Sequence, residues 1–320
     1  MLESRRFGGR RSRLAVVLSG GAMLGAFQVG VIDALARRGV VPDLLIGTSV
    51  GAINASYWAF NPGLEAGREL LAAWLDMDRH RVFPRNPLPA IQGLLRGRDH
   101  LLDNGGLVQI LERNLGHEAE LQASSIPLQV VATDLHSGER VILRQGNALR
   151  AVLASAAIPG VFVPILVDGH VLIDGSVVSN LELAGAIEAG ATDVIAIDLM
   201  GPMASQPTSN IVEVMQRAIN LSLRRQTDLT LQVVQRRARV ALLRPSFGWK
   251  AGAGTTGETL ILFSLGRDCG EDLAERHLRG RTVSPGIREP HLEQPPETLR
   301  RPARAGPRAM LRGGRVAVAP

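Results

Sequence analysis

Short apolar runs alternate with amphipathic segments through most of the chain. Leu14–Ser19 and Leu44–Ile46 are predicted strands, and each runs through a glycine-containing turn into a helical pattern. In the helix predicted over Gly25–Arg38, apolar residues recur on one face until Gly39 ends the pattern. Parallel strands that are buried on both faces have such uninterrupted apolar sequences. The repeated strand–turn–helix order therefore predicts an α/β domain with a mainly parallel sheet and right-handed crossovers.

The same periodicities predict the remaining elements. Helices are expected over Gly105–Leu115, Asn147–Ala157 and Asn210–Arg236. Strands are expected over Leu128–Thr133, Arg140–Leu143, Val171–Ile173, Val194–Asp198 and Arg239–Leu243, and the last of them should close the sheet. Residues 78–105, rich in Arg, Pro and Gly, are expected to form a surface excursion near the functional site. The long helix has amphipathic spacing, and we expect its apolar residues to pack on the domain: Ile211, Val214, Met215 and Ala218.

Two uncharged stretches are long enough to cross a membrane, namely Leu14–Ile32 and Leu44–Leu64. Both contain several glycines and polar residues, which favours buried elements of a water-soluble fold. No small-residue cleavage site closes the first stretch, so the sequence predicts no signal peptide. We therefore expect a cytoplasmic protein that contacts membranes only peripherally.

Basic charge is concentrated at the two ends of the chain. Residues 1–13 contain five Arg and one Glu, and residues 279–320 contain nine Arg and three Glu. The whole chain has a net charge of +6, so residues 14–278 have a net charge of −4. A nucleic-acid enzyme needs its basic patch on the folded domain, so no nucleic-acid partner is expected. The sequence predicts a basic tail over 1–13, one domain over 14–278 and a disordered tail over 279–320. The single cysteine, Cys269, excludes a disulfide framework and a multi-cysteine zinc site.

A candidate nucleophile lies between the second strand and its helix. In Gly47-Thr48-Ser49-Val50-Gly51, the glycines allow a tight strand-to-helix turn that holds the serine hydroxyl at the carboxyl end of the sheet. The start of the following helix favours negative charge near the serine. The alternative is an ordinary Ser-Gly helix start without chemistry.

A second glycine-containing turn, Ser19-Gly20-Gly21-Ala22-Met23-Leu24-Gly25, follows the first strand. Its backbone N–H groups are candidate donors to the oxyanion of an acyl-transfer reaction. A phosphate-cradling loop is the alternative, but no Lys-Ser/Thr pair follows, which argues against a nucleotide P-loop.

The general base is the deciding question, because no histidine is well placed for it. Ser49 follows only one strand–helix unit, which is too early for the usual Ser-His-Asp order of an α/β hydrolase. The histidines lie in polar contexts, in turns or near the tail: His80, His100, His117, His136, His170, His277 and His291. Asp174, at a predicted strand end before Gly175, offers a carboxylate that can take the serine proton directly.

Other acidic residues are weaker candidates. Asp134, His136 and Glu139 surround what is predicted to be a hairpin turn, so no metal site is expected there. Asp198 at a strand end is a candidate second acid, but a solvated or capping role is favoured.

These motifs together resemble the patatin-like phospholipases. The oxyanion loop matches Leu18–Ala26, and the nucleophile motif matches Gly47–Ala52. The Ala-Ser-x-Ala-x-Pro segment matches Ala154–Pro159, and the Asp-Gly-Gly/Ala motif corresponds to Asp174–Ser176. The resemblance implies a three-layer α/β/α fold and a catalytic dyad of Ser49 and Asp174 without histidine. It also implies an oxyanion hole at Gly20, Gly21 and Ala22, with Gly47 and Gly51 flanking the nucleophile.

Three positions depart from the family pattern. Ala22 stands at the third glycine of the oxyanion loop, Leu24 where a basic residue is frequent, and Ser176 at the third position of the aspartate motif. Leu24 removes a positive charge from near the oxyanion. Ala22 should be tolerated unless its backbone needs a positive φ.

The resemblance implies a serine lipid acyl hydrolase that cleaves a phospholipid or another fatty-acyl ester without metal or organic cofactor. Two alternatives remain open. One is a histidine-assisted esterase or acyltransferase, and the other is a catalytically idle, membrane-associated binding protein with the same fold.

Overall fold

The computed structural model describes residues 6–7, 10–76, 100–102, 105–202, 211–247, 254–279, 283 and 285–292. Most of the surface excursion predicted over 78–105 lies outside the described residues. Residues 1–5, 8–9 and 293–320 of the two predicted tails lie outside them as well.

The described elements alternate along the chain as the sequence pattern predicts. The strands are β1 (Arg6–Phe7), β2 (Arg10–Arg11), β3 (Leu14–Leu18), β4 (Leu44–Thr48), β5 (His100–Leu102), β6 (Leu128–Asp134), β7 (Arg140–Leu143), β8 (Gly160–Phe162), β9 (Ile165–Val167), β10 (His170–Asp174), β11 (Asp193–Ile197), β12 (Arg239–Leu243), β13 (Ser246–Phe247), β14 (Gly286–Arg288) and β15 (His291–Leu292). The helices are α1 (Gly25–Arg37), α2 (Val50–Phe60), α3 (Ala66–Asp76), α4 (Gly105–Leu115), α5 (Ala148–Ser155), α6 (Ser176–Ser179), α7 (Leu183–Glu188), α8 (Ile211–Val234) and α9 (Thr256–Arg279).

The central sheet has the strand order β14-β12-β11-β3-β4-β6-β10-β9, and β7 also pairs with β6. Neighbouring strands from β14 through β6 are parallel. Strands β7, β9 and β10 pair antiparallel at the other side of the sheet. The predicted mainly parallel sheet is therefore confirmed.

Both faces of the sheet are covered, as β3 shows. Leu14, Val16 and Leu18 point into one core, which is covered by α1, α2, α3, α5 and α9. Ala15 and Val17 point into a second core, which is covered by α7 and α8. Side chains of successive strand residues point to opposite faces, so a strand buried between two layers needs apolar residues at every position. The three-layer α/β/α prediction is confirmed.

Helix α9, which the sequence pattern did not predict, packs closely on α1. A Cβ atom at Gly266 would lie 2.0 Å from the Phe27 carbonyl oxygen, and one at Gly30 would lie 2.0 Å from that of Phe263. Only glycine permits so close an approach of two helix backbones. Glycines within the segment weaken the helical pattern of the sequence, although tertiary packing requires them.

The outer edge of the sheet differs from the prediction. Arg239–Leu243 was expected to close the sheet, but β14 pairs parallel with β12 and lies outside it. The side chain of Glu289, which follows β14, forms ion pairs with Arg244 and Arg224. Composition alone predicted disorder from 279 onward. A strand edge with free hydrogen-bonding groups and a buried arginine orders part of this segment instead.

Helix α8 contradicts the expectation that its apolar spacing marks a packing face. Ile211 is 75% exposed and Met215 is 60% exposed. Of the α8 residues whose side chains the structure describes, the buried ones are Thr227, Leu231 and Val234. No helix in the described part of the chain is both long enough and apolar enough to cross a bilayer.

Candidate active site

Ser49 lies in the sharp turn between β4 and α2. Its backbone has φ 55° and ψ −124°, a conformation that costs a non-glycine residue about 1–3 kcal/mol. A Cβ atom at Gly47 would lie 2.4 Å from the Gly51 carbonyl oxygen, and one at Gly51 would lie 2.3 Å from that of Leu18. The two predicted glycines are therefore required for the close approach of α2 to the sheet. The side chain of Ser49 is held at a buried position, since the residue is only 7% exposed.

Ser155, to which the sequence analysis assigned no role, fixes this turn. Its hydroxyl accepts a hydrogen bond from the Ser49 amide at 2.9 Å and donates one to the Val131 carbonyl oxygen at 2.6 Å. The strained Ser49 backbone is thereby tied to β6. The Ala-Ser-x-Ala-x-Pro segment was the sequence signal, but the contact depends on the packing of α5 against β6.

Asp174 ends β10 and lies beside Ser49. The register explains the proximity, because Thr48 pairs with Val131 and Asp174 pairs with Ala132, the next residue of β6. The side chain of Ser49 interacts with the Asp174 carboxylate and lowers the pKa of that group. The structure thus brings the two predicted catalytic residues together, although they are far apart in sequence.

The Asp174 carboxyl group is almost completely buried. It accepts a hydrogen bond from the Ser176 amide at 2.8 Å. Burial raises the pKa of Asp174 above its usual range, while interactions with Ser49 and Ser176 oppose this shift. A carboxylate with a raised pKa is a stronger proton acceptor, which suits a general base.

The predicted oxyanion loop adjoins the same serine, but its three amides are not equivalent. The Gly20 amide already donates to the Asn180 carbonyl oxygen at 3.2 Å. No described residue accepts a hydrogen bond from the amides of Gly21 or Ala22. A Cβ atom at Gly20 would lie 3.2 Å from that of Ser49, so the loop passes directly beside the nucleophile. Of the three predicted donors, the amides of Gly21 and Ala22 are thus the two without an acceptor among the described residues.

Ala22 adopts a positive φ, which is the condition under which alanine was not expected to be tolerated here. Its φ is 47°, in the left-handed region that an alanine occupies at a cost of about 1–2 kcal/mol. The substitution of alanine for the family glycine is therefore strained rather than neutral.

A chain of buried side-chain amides holds the oxyanion loop against α2. Gln28 donates to the Ser19 carbonyl oxygen at 2.9 Å, and Asn54 donates to the Gln28 side chain at 3.0 Å. The Trp74 indole N–H donates to the Asn54 side-chain oxygen at 3.0 Å. These residues were missed because a polar residue on an apolar helix face does not reveal its partner in the sequence.

Asn180 closes the site on the side of Gly20. The residue is 2% exposed, and no described residue accepts a hydrogen bond from its side-chain nitrogen. Its side-chain oxygen lies 2.7 Å from where a Cβ of Gly20 would be, so the amide group is close to Ser49.

The remaining candidates of the sequence analysis have other contacts. His170 bonds to Asp134 at 2.6 Å. Asp134 also accepts the amides of His136 and Ser137, so it caps the predicted hairpin turn, and these bonds lower its pKa. Among the described residues, no three His, Cys, Asp or Glu side chains cluster as a metal site requires.

The other described histidine contacts are also remote from the dyad. His117 contacts Glu112, and His291 contacts Ser246. His80 lies outside the described residues. Asp198 is fully buried rather than solvated; it caps the Met200 amide at 3.0 Å and pairs with Arg244 at 2.8 Å.

The chain is similar in sequence to several known proteins. An uncharacterised NTE family protein of Mycobacterium tuberculosis is 33% identical over 197 residues, which are 61% of this chain and 51% of that protein. Patatin-like phospholipase domain-containing protein 7 of Mus musculus is 28% identical over 188 residues, 58% of this chain and 13% of that protein. The chain thus spans about half the length of the mycobacterial relative.

Among solved structures, VipD of Legionella pneumophila superposes with a TM-score of 0.46 at 16% identity, covering 83% of this chain and 67% of VipD. The family model described as patatin-like phospholipase matches residues 16–187, just over half of the chain. That match includes the oxyanion loop, the serine turn and the strand-end aspartate, and on this basis the chain belongs to the patatin-like phospholipase family.

Proposed function

We propose that this protein is a serine lipid acyl hydrolase that acts through Ser49 and Asp174. The observation that carries the proposal is the position of a serine side chain, held in a strained strand-to-helix turn, beside a buried carboxylate. The family assignment supports lipid hydrolysis as the reaction class.

In the first half-reaction, the Ser49 oxygen attacks the ester carbonyl carbon while Asp174 accepts the hydroxyl proton. Collapse of the tetrahedral intermediate breaks the bond to the leaving alcohol, which takes the proton from Asp174. In the second half-reaction, Asp174 accepts a proton from water as the water attacks the acyl-enzyme. The fatty acid is released, and the proton returns to Ser49.

The site favours the negative charge that develops on the carbonyl oxygen. The amides of Gly21 and Ala22 are the proposed donors, and the start of α2 adds its positive dipole end near Ser49. Leu24, which is partly buried against the core, supplies no charge there. The chemistry therefore relies on backbone donors and needs no metal or organic cofactor.

The proposed substrates are phospholipids or other fatty-acyl esters, in line with the description of the family. The principal test is covalent labelling of the purified full chain by a fluorophosphonate probe, followed by mass mapping of the labelled residue. Labelling confined to Ser49 and abolished in Ser49→Ala supports the proposal. Labelling elsewhere, or none, contradicts it.

The same preparation distinguishes the two alternatives. Alanine variants at each of the seven histidines should retain ester hydrolysis, whereas a histidine-assisted enzyme would lose it in one of them. An idle binding protein would bind lipid without releasing fatty acid from any acyl ester offered.

A further inference from the structure

The exposed side of α8 is unusual because it is apolar. Successive residues of a helix are rotated by about 100°, and the buried residues Thr227, Leu231 and Val234 lie about 140–200° around the axis from Ile211. The opposite side, within about 80° of Ile211, is here called the outer face. It carries the polar residues Ser222, Gln226 and Gln232, of which Gln226 is partly buried. It also carries apolar side chains that are each 48–75% exposed: Ile211, Val214, Met215, Ile219, Leu221, Leu229 and Val233.

The charges of α8 are distributed unevenly around the helix. Arg225 is exposed within the outer face, and Arg236 and Arg237 are exposed just beyond the end of the helix. Glu213 lies about 160° and Asp228 about 100° around the axis from Ile211, and Asp228 pairs with the buried Arg244. Arg217 and Arg224 also lie more than about 100° from Ile211. The outer face therefore combines exposed apolar side chains with Arg225, and neither acidic residue of α8 lies on it.

The helix also adjoins the candidate active site. Gln226 donates a hydrogen bond to the Val178 carbonyl oxygen in α6, which directly follows the Asp174 loop. Residues 211–225 span about 22 Å of helix before this contact, and α8 follows β11 along the chain. Val177, in the same short helix α6, is half exposed and lies three residues after Asp174.

We propose that the outer face of α8 docks this protein onto anionic phospholipid bilayers. An amphipathic helix that lies in the plane of a membrane buries its apolar face at the level of the headgroups, and nearby basic residues attract anionic lipid. This inference rests on the proposed function, because a lipid hydrolase must reach an ester held in a bilayer. Docking through α8 places the active-site edge of the sheet at the lipid surface.

Vesicle flotation tests the inference with the full chain in a Ser49→Ala background, so that the vesicles are not consumed. The probes are vesicles of phosphatidylcholine with phosphatidylglycerol, and vesicles of phosphatidylcholine alone. The double variant Met215→Glu/Ile219→Glu should lower partitioning onto the mixed vesicles at least about tenfold, or about 1.4 kcal/mol. A second pair, Leu229→Glu/Val233→Glu, should do the same.

The matched control is Val41→Glu/Leu64→Glu. These two residues are 70% and 61% exposed, much like Met215 and Ile219, but they lie between other elements and outside α8. The control should bind mixed vesicles as the parent does. The α8 variants should also be made with Ser49 intact, and they should turn over a soluble short-chain ester at the parent rate. This measurement separates a failure of docking from a failure of the proposed activity.

Three results would overturn the inference. The first is mixed-vesicle binding that survives both α8 double variants, and the second is a parent chain that does not bind these vesicles. The third is a parent dimer, seen by light scattering, that Met215→Glu/Ile219→Glu dissociates without changing vesicle binding, because the outer face would then be a contact between two copies of the chain.

Discussion

Replacing Asp174 with asparagine tests the dyad most directly, since it removes a proton acceptor and little volume. Asp174 is 3% exposed, accepts a hydrogen bond from the Ser176 amide and interacts with the side chain of Ser49. Asparagine can still accept a hydrogen bond through its side-chain oxygen, but it cannot take the serine proton. General-base assistance is worth about 10²–10⁴ in rate. We expect Asp174→Asn to lower kcat/KM for a soluble fatty-acyl ester by that factor, which corresponds to about 2.7–5.4 kcal/mol of barrier.

The pH dependence adds a second check with a definite sign. The active base is the ionised carboxylate, so the wild-type rate should fall as pH drops through the raised pKa of Asp174. The free energy of unfolding depends on pH with the opposite sign. A group whose pKa is raised by folding favours the folded state at low pH, and this contribution is lost as pH rises through the folded-state pKa. Asp174→Asn removes the buried charge, so at pH 8 it should be at least as stable as the wild type.

The control is Asp134→Asn, which removes a carboxylate that lies in the same pair of strands but does not contact Ser49. Asp134 caps the hairpin turn through the amides of His136 and Ser137, so its loss should reduce the melting temperature and leave kcat/KM within about twofold. Combining Asp174→Asn with Ser49→Ala should cost little more than either change alone, because a nucleophile and its base act as a unit. The dyad would be refuted if Asp174→Asn kept more than about a tenth of wild-type kcat/KM.

Three further predictions concern the loop beside Ser49, the buried Arg244 ion pair and the segment that contains β14. Gly21→Val should lower turnover about 10²–10³-fold, since a Cβ there would lie 2.6 Å from the Leu199 side chain and displace the loop; unchanged turnover would place the oxyanion donors elsewhere. Arg244→Met should reduce the free energy of unfolding by about 3–5 kcal/mol in urea titrations, because it leaves a buried carboxylate unpaired. The control Arg38→Met removes an exposed pair and should change it by about 0–1 kcal/mol. A chain that ends after β15 should keep the wild-type melting temperature, whereas one that ends after α9 should melt lower in calorimetry because β14 and the Glu289 ion pairs are lost.

Those parts of the fold that depend on local patterns were predictable. Continuous apolar runs identified β3, β4, β6 and β11, because strands buried on both faces need apolar residues at every position. Helix α9 and strand β14 were not predictable in this way. Helix α9 is defined by a close approach to α1 at Gly30 and Gly266, and β14 by the edge of β12, and neither partner is near in sequence.

The apolar spacing of α8 shows a further limit of sequence patterns. Periodicity correctly indicated a helix with one apolar side, but it does not state which surroundings that side has. The side that carries Met215 and Ile219 is exposed, while the domain contacts the helix through Thr227, Leu231 and Val234. A sequence-based interpretation assigns every apolar stripe to the core, and it therefore fails where such a stripe remains at the surface.

The same limit applies to the candidate site, of which only the parts with a local motif could be predicted. Ser49 and Asp174 were identified because each lies in a short motif, but their proximity depends on strand register. Strand β6 pairs with β4 through Val131 and with β10 through Ala132, so adjacent residues of one strand align the two catalytic candidates. A slip of one residue in either pairing would turn a side chain to the opposite face of the sheet. The contacts that fix this register, such as Ser155 between Ser49 and Val131, are therefore as necessary to the proposed chemistry as the dyad, although no local motif reveals them.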